Sequence, residues 1–435
     1  NNVNNGMLMF KSDPLPDELR NTPQEYMMKY VTGMVTSMFN SRLAELLQTP
    51  QPPFIQAGSA YGDYFVSQTK DALSLDFYYA DGGFEPAFKA LVREFKRARD
   101  YGFTQGEYDR ARAEYVRAYE KMYEDRAKTT STSYARECGR HFTQKESMPG
   151  IEIEYQLVQA IAPNIPLEAV NSFLPQLPVD TNLVVVLLNT ETERKYQPGE
   201  VLEAFYAAMA EEVEPYVDQV SGEPIMAEEP QGGSVKSEKP GIYGTTELTL
   251  SNGVRVVMKN TDFKKDEIQF YGVRAGGSSL FDEDDIQQVS FVNEVHAAMG
   301  LGNFSAIDLD KALAGKVASA HAQIGNEADV VKGSCSPRDI RTMLQLAYLQ
   351  FCGQRTDEDA FESFRARNKQ MLEKKVVNPA SAFSDSLRVT LNDHHPRALV
   401  ITAEMMDQLN LDIVQKIYAS RFGHADGFTF YLVGN

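Results

Sequence analysis

Residue pairs in this chain recur at a fixed separation. Tyr108-Asp109 and Phe361-Glu362 stand 253 residues apart (361 minus 108), and so do Arg112-Ala113 and Arg365-Ala366. The patterns around them also match. In the first block Leu73, Leu75, Phe77 and Tyr79 alternate as a half-buried strand, and Gly82-Gly83 make a turn. A helix follows with Phe84, Phe88, Leu91, Val92 and Phe95 on one face, ending at Gly102. Thr104, with Glu107 three residues on, is a capping box that opens a second helix. Its inner stripe is Tyr108, Ala111, Tyr115, Tyr119 and Met122. In the second block Ser336 caps a helix with Pro337 at its first position. Ile340, Met343, Leu344, Ala347, Tyr348 and Phe351 form its apolar face, and Gly353 ends it. Thr356 caps the next helix, which carries Phe361, Phe364 and Met371. Each block closes on an apolar run, Leu183 to Leu188 and Phe428 to Val433. A chain that writes strand, helix, helix, strand twice is expected to fold as two copies of one domain rather than around a single core.

The second block opens with a hairpin. Glu247-Leu248-Thr249-Leu250 and Val254-Arg255-Val256-Val257-Met258 flank Ser251-Asn252-Gly253, and Asn-Gly between alternating runs is a strong hairpin signal. Ile268, Phe270, Gly272 and Arg274 continue as a third strand into Ala275-Gly276-Gly277-Ser278. Hairpin strands followed by runs of helix predict an α+β class built on antiparallel sheets, not a doubly wound sheet. Between the blocks Pro198 to Val217 reads as a helix, with Val201, Phe205, Met209 and Val213 at four-residue steps. Ser221 to Gly241 mix Pro, Gly, Ser and charge without an apolar period, the composition of an exposed connector. The expected division is residues 1–197, a helix plus flexible linker at 198–242, and residues 243–435.

Charge narrows the partners. The chain carries 43 basic and 61 acidic residues, a net −18, which argues against nucleic acid and against anionic membranes. No run of 18 apolar residues exists, so no membrane span is expected. The first ten residues, Asn1 to Phe10, have neither the basic segment nor the apolar run of a signal or transit peptide. Cys138, Cys335 and Cys352 are odd in number and form no C-x-x-C pair, which argues against a disulfide framework. Cys335 and Cys352, at the two ends of a predicted helix, are expected to be buried small hydrophobes. No two of the histidines lie four apart, and His394-His395 before Pro396 reads as a surface turn.

The segment with the most chemical content is Phe291-Val292-Asn293-Glu294-Val295, followed by Gly300-Leu301-Gly302-Asn303-Phe304. In the pattern H-x-x-E-H two histidines one helical turn apart bind zinc, and the Glu activates water. Here Phe291 and Val295 stand at the two histidine positions, and neither side chain has a lone pair to give. Glu294 remains, but a general base without metal or nucleophile has little to activate. Glu294 and His296, two apart, face different sides of a helix and cannot share a metal. Gly276-Gly277-Ser278-Ser279 lacks the Lys and the spacing of a phosphate loop and reads as a strand-end turn. The tyrosine stripe is expected in the core, and Lys96, Arg97 and Arg99 on a solvated face. No catalytic, cofactor-binding or metal-binding residue is therefore expected in this chain.

The run LTLSNGVRVVMKNTDFKKDEIQFYGVRAGGSS resembles the opening of a domain in the pitrilysin (insulinase) family of zinc metallopeptidases, especially the long bacterial type. NEVHAAMGLGNFSAIDLDKALAGK and FGHADGFTFYLVGN are similar to later parts of the same domain, and MFNSRLAELLQTPQPPFIQAG and GFTQGEYDRARAEYVRAYE to the family's second domain. The resemblance covers nearly the whole chain. It implies two related α+β domains of the LuxS/MPP-like metallopeptidase fold, second and third of four, with zinc held by a first domain outside this sequence. The Arg–Tyr pair of the family's last domain is not carried over: Gln48 and Phe54 stand near those positions. The implied role is a non-catalytic central portion that forms part of a chamber around a peptide substrate. The implied partners are that peptide and the first and last domains of the same polypeptide. The implied location is the periplasm or cell envelope of a Gram-negative bacterium. An inactive homologue acting as scaffold or subunit, and a peptide-binding module using a sheet edge, are the alternatives. An H-x-x-E-H upstream of Asn1 in the gene would separate them.

Overall fold

The computed structural model describes residues 3–65, 67–219, 222–376 and 378–435. Ser221, where the expected connector begins, lies outside the described residues. The chain divides into two compact units, Asn1–Gln219 with Lys374–Asn378, and Val220–Glu373 with Pro379–Asn435.

The first unit runs β1 (Asn4–Ser12), α1 (Pro23–Leu47), β2 (Gln56–Tyr64), β3 (Ser67–Tyr79), α2 (Phe84–Tyr101) and α3 (Gln105–Glu124). It continues with α4 (Ser131–Gln144), α5 (Ile151–Ile161), the short α6 (Leu167–Asn171) and α7 (Phe173–Gln176), then β4 (Leu183–Leu188) and α8 (Pro198–Ala210). Its sheet has the order β2-β3-β1-β4, antiparallel throughout. Period-two alternation sends Leu73, Leu75, Phe77 and Tyr79 of β3 into the core. There they meet Phe84, Phe88, Leu91, Val92 and Phe95 of α2, the stripe expected from its helical spacing. Each such side chain contributes roughly 1.5–3 kcal/mol when fully buried. Gly102, at φ +73, ends α2, and the Thr104–Glu107 capping box opens α3 as predicted.

The second unit holds β5 (Val235–Pro240), β6 (Thr246–Leu250), β7 (Arg255–Asn260), β8 (Ile268–Ala275), α9 (Ile286–Val289), α10 (Val292–Met299) and α11 (Ala306–Leu313). After these come β9 (Ala318–Ile324), β10 (Ala328–Cys335), α12 (Ile340–Cys352), and α13 (Glu358–Val376) as far as Glu373. The last elements are α14 (Pro379–Leu391), α15 (Glu404–Asp407), α16 (Leu411–Phe422) and β11 (Thr429–Gly434). Its sheet has the order β5-β6-β7-β11-β8-β10-β9. Only the β7–β11 pair among these is parallel.

The two units share one plan. Read as first to fourth strand in chain order, β4-β1-β3-β2 and β11-β8-β10-β9 are the same sheet, ordered fourth, first, third, second. In both, helix follows the first strand, and a helix pair follows the third. α3 and α13 start 253 residues apart (358 minus 105), the spacing read in the sequence. The chain is thus α+β in two related units, each a sheet packed against helices.

Several local expectations differ from the structure. The helix from Pro198 stops at Ala210 with Glu211 extended; continued to Val217 it would set the Pro215 ring against the Glu211 carbonyl. Part of the connector, Val235–Pro240, is exposed strand β5, and Ile225 is buried in the second core. Asp357, not Thr356, caps α13, accepting from the Ala360 amide at 3.0 Å. Ser336 spends its hydroxyl on Asp339, and a 3-10 turn, Pro337–Asp339, precedes α12. Leu344, Tyr348, Met122, Met371 and Cys352 are exposed, while Cys335 is buried. The inner face of α12 is Met343, Leu346, Ala347 and Gln350. A core glutamine hides that face from a reading by apolar period.

Candidate functional site

Helix α10 begins at Phe291, its N-cap residue, and ends at Gly300, whose φ of +88 no side chain adopts easily. A Cβ on Gly300 would also stand 2.2 Å from the Phe304 carbonyl, so the chain must be glycine there. The two positions of the zinc pattern, Phe291 and Val295, point into the core of the second unit and are buried. Glu294 lies on the opposite, exposed side. Desolvation raises its carboxyl above the usual range, but no described residue bonds to it. Zinc does not fit this set. Among the described residues no group of three or more His, Cys, Asp or Glu is placed to hold a metal ion.

His296 faces inward, opposite Glu294, as their two-residue spacing predicts. Its ring stacks on Tyr418 at 3.8 Å between centroids. Its Nε2 lies 3.2 Å from the Gln350 Oε1. The Tyr418 hydroxyl donates to the Gln350 carbonyl at 2.9 Å. Burial lowers the His296 pKa to about 4, so the ring is neutral at pH 7. This is a satisfied polar cluster in a core, built from α10, α12 and α16, and the sequence reading did not find it.

The third position of the pattern, Asn293, does something the reading also missed. Its Nδ2 donates to the Ile324 carbonyl at 3.1 Å, and its Oδ1 accepts from the Ile324 amide at 2.8 Å. Ile324 is the last residue of β9, one of the two outer strands of its sheet, the other being β5. In the first unit Asn40 of α1 makes the same pair of bonds to Ser59 of β2, at 3.1 and 2.6 Å. β2 is again an outer strand, opposite β4. Asn40 and Asn293 stand 253 residues apart (293 minus 40), so the repeat spacing could have found the pair. The same offset places Met38 and Arg42 where Phe291 and Val295 stand. Met38 and Arg42 are both buried. Arg42 donates to Glu107 at 2.6 and 2.8 Å and to Glu94 at 3.4 Å. Its guanidinium also lies over the rings of Tyr216 and Phe103. Neither residue of this pair is a zinc ligand either.

Each unit has a cleft, and Asn293 lines the one in the second unit. In the second unit it measures about 660 Å³ and is lined in part by Ser278, Asn293, Ile324, Arg388, His395 and Arg397. In the first unit it measures about 550 Å³ and includes Lys29, Thr36, Tyr61, Gly62, Asp63 and Asp71. The glycine-rich turn of β8 is closed to phosphate. The Gly276, Ser278 and Ser279 amides donate to the carbonyls of Glu327, Gly325 and Asn326. His394 is in a left-handed turn, and His394 and His395 are exposed. Of the tyrosine stripe, Tyr108 is buried and Tyr115 and Tyr119 are half-buried. Lys96, Arg97 and Arg99 are half-buried, with Lys96 paired to Asp100 and Arg97 to Glu94. Gln48 follows α1 as its C-cap, and Phe54 is buried.

No family model matches the chain. Among curated proteins, it is 26% identical over 300 residues to the zinc protease PQQL-like of Arabidopsis thaliana, covering 68% of this chain and 28% of that one. It is 19% identical over 440 residues to the probable zinc protease PqqL of Escherichia coli, covering 100% of this chain and 46% of that one. The chain thus spans less than half the length of these relatives. The crystal structure of pitrilysin shares the fold, at a TM-score of 0.52 and 13% identity, over 100% of this chain and 45% of that one. No helix among the described residues is long and apolar enough to cross a membrane. The chain is thus similar in sequence to two proteins named as zinc proteases and shares its α+β fold with pitrilysin.

Proposed function

We propose that the chain is a non-catalytic central portion of a zinc peptidase, its second and third domains, at residues 1–197 and 243–435 with 198–242 between them. The observation that carries this reading is the burial of Phe291 and Val295 at the two ligand positions. Side chains that fill a core and lack lone pairs leave no place for metal-bound water. The partial coverage of both curated relatives supports a role within a longer polypeptide. On this reading zinc sits in a first domain, and this chain contributes chamber wall. The wall holds an extended peptide, in part by strand addition to a sheet edge. PqqL of Escherichia coli is a periplasmic protease, and we place this protein in the same compartment under the same proposal.

The test is made on the polypeptide encoded by the whole open reading frame. It should contain H-x-x-E-H upstream of Asn1, hold one zinc per chain by metal analysis, and lose peptidase activity to a chelator. Glu294→Gln should leave turnover nearly unchanged, and Gln at the upstream Glu should abolish it. A hundredfold loss in Glu294→Gln with the fold intact, about 2.7 kcal/mol of transition-state stabilisation, would make Glu294 catalytic. An open reading frame without the zinc motif would leave a scaffold or peptide-binding module.

A further inference from the structure

We propose that Asn40 and Asn293 are edge clamps. Each carboxamide takes the place of an incoming strand at one residue of an outer strand, and so sets where that edge can accept an extended polypeptide. The inference rests on the peptide-holding reading above and narrows it.

An outer strand alternates between residues that bond to their neighbour and residues whose N–H and C=O face outward. Those outward groups are a template for another chain. A side-chain carboxamide carries one donor and one acceptor, the same pair that a strand would offer. Asn40 engages both outward groups of Ser59, and Asn293 both outward groups of Ile324. A peptide can pair with either residue only after displacing the asparagine.

The two edges are not equally closed. In the second unit Ala320 and Ala322 share the outward phase of Ile324. There the Gln350 Nε2 donates to the Ala320 carbonyl at 3.0 Å, and the Ala322 amide donates to the Gln350 Oε1 at 3.3 Å. Two carboxamides thus cover successive outward residues of β9. In the first unit Tyr61 shares the phase of Ser59, and it lines the 550 Å³ cleft. Of these two edges, the geometry therefore leaves β2 beyond Ser59 open to strand addition and closes β9 between Ala320 and Ile324.

Asn40→Ala and Asn293→Ala test the clamps, because neither side chain is in the core. Amide exchange should speed up about tenfold at Ser59 in the first and at Ile324 in the second, with circular dichroism unchanged. Exchange no faster at these amides would show that the clamps do not exist in solution. The blocking role is read from binding of a basic unfolded chain, fluorescently labelled reduced and carboxamidomethylated lysozyme. Asn40→Ala should bind it severalfold more tightly than the unsubstituted chain. Equal or weaker binding would overturn the blocking role. Asn40→Asp, which can accept from Ser59 but not donate to it, should fall between. Failure of the unsubstituted chain to bind, with binding gained in Asn40→Ala, would count against peptide holding by this chain and for the clamp. Binding by both at equal strength would do the reverse.

Discussion

His296 should make the second unit sensitive to mild acid. The ring is 7% exposed, stacked on Tyr418, and close to one neutral partner, Gln350. Burial is the main cause of its fall from 6.5 to about 4; the Gln350 bond opposes it, and the charge of His321 adds to it. The sign follows from proton counts. Between about pH 6.5 and 4 the unfolded chain carries a proton on this ring and the folded chain does not, so stability falls as pH falls. The contribution is fully present above 6.5 and lost on the way down to the folded value. At pH 4.5 the loss is about 2.5 kcal/mol. Carboxylates titrate in the same window, so the informative quantity is the difference from His296→Gln. With Cys138 and Cys352 changed to Ser, the buried Cys335 reports opening of the second unit. Its reaction with 4,4′-dithiodipyridine during urea unfolding can be followed at acid pH. The unsubstituted His296 protein should lose about 2.5 kcal/mol more than His296→Gln between pH 7 and 4.5. Parallel profiles would refute the reasoning and mean that the folded ring takes its proton near its ordinary pKa.

Two further outcomes follow from burial. Arg42→Met should destabilise the first unit by roughly 3–5 kcal/mol in urea, because it leaves Glu107 buried without its cation, while Glu94 keeps Arg97; Arg42→Met combined with Glu107→Gln should recover most of that, and a loss under about 1 kcal/mol would show the ion pair to be solvated. A maleimide should modify Cys138 and Cys352 in the native chain and reach Cys335 only after unfolding. Desolvation pushes the Cys335 thiol up to about 11; native labelling at Cys335 by mass spectrometry would contradict its burial.

The repeat was legible because it rests on spacing. Strand alternation at Leu73 to Tyr79, the capping box at Thr104 and the Asn252-Gly253 hairpin are local devices with little competition. Helix α1 was illegible for a physical reason. Tyr26, Tyr30, Met34, Val35, Met38, Phe39, Arg42 and Leu43 are all buried, so its apolar residues spread over a wide arc. One inner position is an arginine, whose burial depends on Glu107 and Glu94, 65 and 52 residues away. Gln350 and His296 disguise α12 and α10 in the same way: a polar residue in a core reads as surface until its distant partner is known. The degenerate zinc pattern was legible at Phe291 and Val295 because ligand chemistry is a yes-or-no property of a side chain. The use made of Asn293 was not, since its partner is the backbone of Ile324, and only the 253-residue spacing to Asn40 marks it in the sequence.

The asparagines bear on what the helix after the first strand is for. If it only filled the core, its outward third position would be free to vary. Yet Asn40 and Asn293 make the same two bonds in both units, while the inward positions hold different chemistry, Met38 and Arg42 in one and Phe291 and Val295 in the other. The outward amide and carbonyl are part-buried at Ile324 and exposed at Ser59, so an unpaired group costs more at Ile324. Two things can satisfy them: an arriving peptide strand or a side chain with one donor and one acceptor. A unit that must receive a peptide leaves those groups open. A unit that must not receive one closes them with an amide. By that logic the second unit, with Asn293 and Gln350 on β9, is closed to a peptide between Ala320 and Ile324, and of the two helix-backed edges β2 past Ser59 is the more open.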